Sequence, residues 1–387
     1  METQFSDHTL TIELGPRIDT ANAAEVEKKF FDLLEQYKPQ RIVLDAQTLE
    51  YISSVGLRAL LKLKKAVDDM EIVNASLAVY DIFEMTGFTD ILSVKKALRT
   101  ISVEGCAIIG HGGHGTVYRL DGDTIVKLYN EDEPLNEIER EISYSKKAFV
   151  HGIPTAISFD IVKCGKQHGV VFELINADTL ANTLLSNADS FEEYAEKYCR
   201  LVKNLHETEA DTGVFFDIKA LYHRWADDMT VYYTPEEVAL LHEIIDSVPD
   251  RNTFVHGDIH PKNIMVQDGE LLFIDMADMS YGHPIWDYAG MALTHVITGN
   301  YAESVIGIKS DMAQTLFGRM IETNFADRTP EERAHIRQVI LLYGMLKFAL
   351  APAVNKGENP QMRDRVLAAA RERFFPIAKQ LIGAIDF

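Results

Sequence analysis

The stretch His256 to Val266, HGDIHPKNIMV, sets Asp258, His260 and Asn263 in a short polar run that passes straight into an apolar strand. The next strand, within LLFIDMAD, ends on Asp275. This restricts the fold, because acid and amide side chains on loops at strand ends are held by the rigid elements beneath them. A polar turn before a strand would explain HGDIHPKN alone. A loop holding a proton acceptor and a metal ligand over a substrate would explain it together with Asp275, and the rest of the chain must decide between the two.

Earlier in the chain stands AIIGHGGHGTVYRLDGDTIVKLY, in which Gly110, Gly112 and Gly115 fit G-x-G-x-x-G, Gly113 shares the loop and Lys127 lies on the following strand. In a dinucleotide fold such a run opens a helix. Here TVYRL is β-branched and aromatic and DGD is a turn, so the spacing predicts a glycine-rich hairpin. A hairpin of this kind lets backbone N–H groups approach phosphates, and a lysine on the next strand reaches the α- and β-phosphates. His111 and His114 read as solvated loop residues. The segment NEIEREISYSKKAFVHGIPT is a helix stopped by Gly152 and Pro154, and Glu137 and Glu141 stand four apart on one face, so either can pair with Lys127. VVFELINADTL reads as a buried strand leading into a connector, where an adenine would meet backbone groups near Glu173 and Ile175. In this order the opening motif has the layout of a kinase catalytic loop: Asp258 receives the proton of an attacking hydroxyl, and Asn263 and Asp275 bind Mg²⁺. Oxygen ligands suit that hard ion, which neutralises charge on the β- and γ-phosphates. ATP and Mg²⁺ are therefore the expected cofactors.

A chain of 387 residues exceeds what one core usually spans, and its first hundred residues are organised differently. Strand-like runs HTLTIEL and RIVLDA alternate with amphipathic helices predicted over Ala23–Tyr37 and Val55–Asp69, giving a small α/β domain whose boundary is the change of pattern near Ser102. In LEYISSVGLRALL a strand end meets a helix start: Ser53 or Ser54 caps the helix and Gly56 fits the tight approach. A phosphoserine would be stabilised at the same place by free N–H groups and the helix dipole. Residues 1–100 carry 12 basic and 16 acidic side chains, so most of the net charge of −21 falls on the remainder. That balance excludes nucleic acid as a partner and favours a cationic small molecule. Cys106, Cys164 and Cys199 are spaced for neither disulfides nor zinc and read as reduced thiols. No apolar run approaches a membrane span and the N-terminus METQFSDHTL lacks a signal pattern, so the expectation is a cytoplasmic protein without a membrane partner.

GPRIDTANA, IVLDAQTLEYISSVGLRAL and FEMTGFTDIL occur in the order shown by the STAS domain, the anti-sigma-factor-antagonist fold, which residues 8–100 resemble. The resemblance implies a protein partner and a phosphorylated serine at the helix start. Ser54 matches the modified position, while Ser53 stands where the family has Asp and Val55 where it has a second hydroxyl. HGDIHPKNIMV followed by FIDMADMSYGHPIWDYA resembles the aminoglycoside phosphotransferase and choline-kinase-like family over residues 103–387. That likeness implies a protein-kinase-like fold, transfer from ATP to a small-molecule hydroxyl, Asp258 as base, Asn263 and Asp275 on magnesium, Lys127 on phosphate and Glu141 as its partner. His256 and His260 then shape the loop, and Asp278 and Asp287 are structural, Asp287 anchoring a loop to a helix. Met276 and Ala277 stand where protein kinases have an aromatic residue and Gly.

The expected fold is an α/β STAS domain over residues 1–101 followed by an α+β two-lobed protein-kinase-like domain over 102–387, with an N-lobe at about 102–175 and a mostly helical C-lobe at about 176–387. Thr329, Pro330 and Glu332 open a C-lobe helix with a capping box, and Trp286 and Tyr343 read as packing residues. The expected function is ATP- and magnesium-dependent transfer to a small-molecule hydroxyl, regulated or localised by the STAS domain. Two other classes fit the same residues: a protein kinase acting on a STAS serine, and a nucleotide-sensing interaction protein. Intact Asp258, Asn263, Asp275 and Lys127 weigh against the sensor. The rapid passage from Asp275 into a helix leaves no protein-kinase activation segment.

Overall fold

The computed structural model describes residues 1–112, 115–174, 178–186, 190–299, 301–354 and 359–387. The chain divides into two compact units, Met1–Ser102 and Val103–Phe387.

In the first unit a sheet runs in the order β1 (Thr3–Ser6), β2 (Thr9–Glu13), β3 (Arg41–Asp45), β4 (Asp69–Ala75), β5 (Ser93–Lys96). β1 is antiparallel to β2, and the other pairings are parallel. Leu10 and Ile12, Ile42 and Leu44, and Met70 and Ile72 are buried at the alternate positions of their strands, as the period of two requires. They meet Phe30, Leu60, Leu63 and Phe83 from helices α1 (Ala23–Tyr37), α2 (Ser54–Ala66) and α3 (Leu77–Met85) in one core. α2 is shorter than its sequence pattern suggested. It ends at Ala66, Val67 is extended (φ −137°, ψ 112°), and Asp69 begins β4. The β-branched Val67 and the alternation of Met70 and Ile72 give this segment more burial as the neighbour of β3 than as another helical turn.

The second unit opens with an antiparallel sheet of β6 (Ile108–Gly112), β7 (Gly115–Arg119), β8 (Thr124–Tyr129), β9 (Ser158–Cys164) and β10 (Gln167–Glu173), in spatial order β9-β10-β8-β7-β6. Helix α4 (Leu135–Val150) lies on β9 and β10, and Ile138 and Ile142 pack with Tyr129 and Val170. The remainder is mostly helical: α5 (Leu180–Ser186), α6 (Phe191–Glu207), α7 (Ile218–Asp228), α8 (Pro235–Asp246), α9 (Ile285–Ala292), α10 (Tyr301–Ile306), α11 (Ser310–Asn324), α12 (Pro330–Val354) and α13 (Pro360–Ala369). Between α8 and α9 come β11 (Thr253–Val255), β12 (Ile264–Gln267), β13 (Glu270–Phe273) and β14 (Ser280–Gly282). β12 and β13 form a hairpin whose two turn residues, Asp268 and Gly269, both have positive φ, 51° and 82°, as an Asp-Gly type I′ turn demands.

Trp286 and Tyr343 are fully buried and their rings meet edge to face at 6.0 Å, so both are packing residues. The capping box of α12 is present: the Glu332 N–H donates to Thr329 Oγ1 and the Thr329 N–H to Glu332 Oε2. Among the described residues α12 is the helix that length and composition would allow to cross a membrane, the mean hydropathy of its most apolar 18 residues being 1.3. It is used as a core helix: Ile336, Val339, Ile340, Leu346 and Leu350 are buried in the main cluster of the unit, beside α9.

Candidate active site

The hairpin of β6 and β7 brings Gly112 opposite Gly115 and Gly110 opposite Val117. Gly115 cannot be replaced without disturbance, because a Cβ there would run into the backbone carbonyl of Leu128 on β8. The lack of a side chain thus draws β7 close to the strand that carries Lys127. Gly113 and His114 lie outside the described residues. His111 Nδ1 stands 3.0 Å from Thr116 Oγ1, across the hairpin.

Lys127 and Tyr129 alternate on β8 and so share a face, and both turn toward α4. Lys127 Nζ donates to Glu141 Oε1 at 3.0 Å and Tyr129 OH to Glu141 Oε2 at 2.7 Å. Glu141 is only 6% exposed, so both carboxylate oxygens are occupied by donors, as a buried charge needs. Glu137, the other candidate on α4, pairs with Arg140 instead. Lys127 also reaches Asp275 Oδ1 at 3.3 Å. Burial pulls the Lys127 pKa down, but Glu141 and Asp275 outweigh it and hold the pKa above its ordinary value. Burial and the Glu141 charge push Tyr129 up, so it remains a donor.

The HGD loop is held at His256 and Gly257 by three hydrogen bonds. The His256 and Gly257 N–H groups donate to the two oxygens of Asp287 at 2.8 and 2.7 Å, and the Gly257 carbonyl accepts from Lys347 Nζ at 3.1 Å. Asp287 is buried and also takes His206 Nε2 at 2.9 Å. Burial raises the Asp287 pKa, yet the His206 hydrogen bond and the charges around it bring it below the carboxylate range. Gly257 adopts φ 89°, and a Cβ there would sit 2.8 Å from Asp278 Cβ, so the loop packs directly against the segment after Asp275.

On this loop Asp258 faces outward, with 52% of its side-chain surface accessible. His260 Nε2 lies 3.4 Å from Asp258 Oδ2, and Asn263 Nδ2 donates to the same oxygen at 3.2 Å and to the Asp258 carbonyl at 3.1 Å. Surrounding protein pushes the Asp258 pKa up, but the hydrogen bond from His260, with the charges of His260, Lys347 and His256, drives it well below the carboxylate range. The Ile274 N–H donates to the Asn263 carbonyl at 2.9 Å, which places the strand end carrying Asp275 beside the loop. Asp275 has φ 63°, a left-handed conformation that Asp tolerates better than most residues and that recurs at functional sites. Burial, with the charges of Asp258 and Asp275, raises the Asp278 pKa from its ordinary value, so this acid, read from the sequence as structural, is electrostatically coupled to the cluster.

Asn263 and Asp275 fit a magnesium ion. The Asn263 amide nitrogen is directed at Asp258, which leaves its oxygen end for a cation, and the Asp275 side chain is 41% accessible. No group of three His, Cys, Asp or Glu suited to a metal occurs among the described residues. Two oxygen donors are nonetheless what Mg²⁺ takes from protein when phosphates and water complete its shell. Glu173 at the end of β10 is tied to Ile157: its N–H donates to the Ile157 carbonyl, and its Oε1 accepts the Ile157 N–H at 3.0 Å. The Leu174 N–H is bonded to the Asp123 carbonyl, and Ile175 lies outside the described residues. In the first unit Ser53 is the N-cap of α2, its Oγ accepting the Gly56 N–H at 3.4 Å, and Ser54 is the exposed first helical residue.

Three contributors escaped the sequence reading. Tyr129 carried a signal, since it stands two residues from Lys127 on a strand. His206 and Lys347 carried none, because they approach Asp287 and Gly257 only through folding.

Residues 105–318 match the phosphotransferase enzyme family, and residues 1–101 match the STAS domain. A Bordetella bronchiseptica protein named as an anti-sigma factor antagonist is 35% identical over 84 residues, covering 21% of this chain and 72% of that protein. An ethanolamine kinase of Plasmodium vivax shares the fold at 11% identity and a TM-score of 0.50, over 92% of this chain and 96% of its own. The ternary complex of an aminoglycoside phosphotransferase with streptomycin and ATP aligns at 15% identity and a TM-score of 0.48, over 72% of this chain and 93% of its own.

Proposed function

The chain belongs to the phosphotransferase enzyme family, and we propose that it transfers the γ-phosphoryl group of ATP to a hydroxyl of a small, amine-bearing molecule. The observation that carries this reading is the joining of Lys127, Glu141 and Asp275 by ion pairs, beside a loop on which Asp258 is anchored yet open to solvent.

Lys127 would hold the α- and β-phosphates, kept charged and aimed by Glu141. The glycine hairpin of Gly110, Gly112 and Gly115 would cover them with backbone N–H groups. Asn263 and Asp275 would hold Mg²⁺, which when bound neutralises charge on the β- and γ-phosphates. Asp258 would accept a hydrogen bond from the attacking hydroxyl. Its depressed pKa makes it a weak base, so it orients the hydroxyl and takes the proton as the new P–O bond forms, while the bond to the ADP oxygen breaks. The carboxylates of Asp258 and Asp275, together with the acidic surplus of the chain, favour a cationic acceptor. The STAS domain would supply a protein-binding surface, with the exposed Ser54 as its candidate phosphorylation site and Ser53 as the cap beside it.

The test is an ATP-turnover screen of the purified full chain against amino sugars, aminoglycosides, choline-like amines and nucleosides, with autophosphorylation followed in parallel. Stoichiometric ADP and phosphorylated acceptor are expected for an amine-bearing alcohol. Phosphate appearing on Ser54 alone, with every small molecule inert, would overturn the proposal in favour of a serine kinase.

A further inference from the structure

We propose that His223 on α7 and His242 on α8 form a binding site for one imidazole-preferring transition-metal ion, of the Zn²⁺ or Cu²⁺ type, separate from the transfer site. Each helix carries the same short pattern, a histidine followed four residues later by an aspartate: His223 and Asp227 on α7, His242 and Asp246 on α8. Four residues make one helical turn, so each pair shares a face. The contacts between the helices are crosswise. His223 Nε2 lies 3.0 Å from Asp246 Oδ1, and His242 Nε2 lies 3.1 Å from Asp227 Oδ1.

On each ring Nε2–H is the donor that meets a carboxylate, which turns Nδ1 of each ring toward the other. Those two Nδ1 atoms face each other at 2.7 Å. The ring planes differ by 14° and the centroids are 5.0 Å apart. The excess of 5.0 over 2.7 Å is taken up by the two ring radii, so the rings lie end to end and nearly coplanar, with their in-plane lone pairs converging on one point. At that distance one proton joins the two nitrogens as an N–H···N hydrogen bond; a metal takes the proton's place when the rings move apart.

The surroundings match a metal. A histidine ligand donates its other N–H to a carboxylate in most metal sites, which fixes the ring and raises its basicity; here both histidines do so. The two carboxylates offset the charge of a divalent ion. The histidines are 27% and 29% exposed and the aspartates 70% and 69%, so an ion has access and water can complete its shell. Imidazole nitrogens select Zn²⁺, Cu²⁺ and Ni²⁺ over Mg²⁺ and Ca²⁺. Metal–nitrogen bonds of about 2.0–2.1 Å would set the two Nδ1 atoms roughly 3.3–4.2 Å apart, a separation that side-chain rotation on two surface helices can supply. The bound ion would cross-link α7 to α8.

The experiment uses the full chain freed of metal by chelation, titrated with Zn²⁺ and in parallel with Cu²⁺. Binding stoichiometry, thermal midpoint and the nitrogen couplings in the Cu²⁺ resonance spectrum are followed for wild type, the His223→Gln/His242→Gln double variant and the Asp227→Asn/Asp246→Asn double variant. The expected result is one equivalent more in wild type than in the histidine variant, a metal-dependent rise in the midpoint only where both histidines remain, and two coupled nitrogens. The aspartate variant, which keeps both ligands, should bind about 10–100-fold more weakly. Equal stoichiometry and equal midpoint shifts in wild type and histidine variant would overturn the site. So would unchanged affinity in the aspartate variant, or a wild type that takes up no metal.

Discussion

Asp258 keeps its charge in a setting that would otherwise raise its pKa, because His260 hydrogen-bonds it and Lys347 lies near. A residue whose task is to orient a hydroxyl and collect its proton should be separable from nucleotide binding. Asp258→Ala is expected to lower kcat by about 10²–10⁴-fold while leaving the Kd for ATP·Mg²⁺ near that of wild type, as equilibrium binding would show; unaltered turnover would remove Asp258 from the role. A second residue links the site region to pH. His295 follows α9 and is fully buried, with Nδ1 3.0 Å from the Met291 carbonyl. Burial pushes its pKa down to about 4, the nearby His260 adding to the effect. The unfolded chain, titrating near 6.5, then binds a proton that the folded chain refuses. Its stabilising contribution is complete above pH 6.5 and declines as pH falls toward 4, by on the order of 3 kcal/mol. His283, pushed down to about 3 by burial and Arg251, acts in the same direction. Denaturant titrations at pH 7, 5.5 and 4 should show this loss, and His295→Gln should reduce it.

The elements that position the site depend on close backbone approach and on one buried anion. β7 can lie against β8 only because Gly115 has no Cβ to meet the Leu128 carbonyl. Gly115→Ala should therefore lower the thermal midpoint and weaken ATP binding more than Gly110→Ala, whose Cβ would find Val117 Cβ at an ordinary 3.7 Å; equal effects would show that β7 tolerates a shift. α9 enters the site through Asp287, whose two oxygens fasten the backbone of His256 and Gly257. Asp287→Ala leaves those N–H groups and His206 without their acceptor, a loss of about 3–5 kcal/mol for a broken buried pair. Chemical denaturation would measure it, and kcat should fall with it because Asp258 is the next residue on the loop.

At the scale of the molecule, Met1–Ser102 has its own core of Leu10, Ile12, Phe30, Ile72 and Phe83, apart from the cluster built around Tyr198, Trp286 and Tyr343. A domain of this length with a contiguous core can fold alone. The fragment Met1–Ser102 is expected to unfold in a single cooperative transition followed by circular dichroism, and a fragment without a transition would show that its core is insufficient.

Much of this was legible in the sequence because it is local. The glycine hairpin, the capping box at Thr329, α1 over Ala23–Tyr37 and the close set of Asp258, Asn263 and Asp275 follow from spacing and side-chain chemistry over short stretches, and Lys127 from its place on the strand after the hairpin. The end of α2 was misread because the pattern up to Asp69 suits a helix as well as a strand, and the pairing of Asp69 and Met70 with Arg41 and Ile42 on β3 decides between them. Other decisions belonged to tertiary structure alone. Whether Glu137 or Glu141 meets Lys127 depends on how α4 lies against β8, and both glutamates satisfy the same spacing. Lys347, His206 and the crosswise pairing of His223 with Asp246 join residues distant in sequence or on separate helices. Such contacts exist only once chain entropy has been overcome by burial of a shared core, so no local pattern announces them.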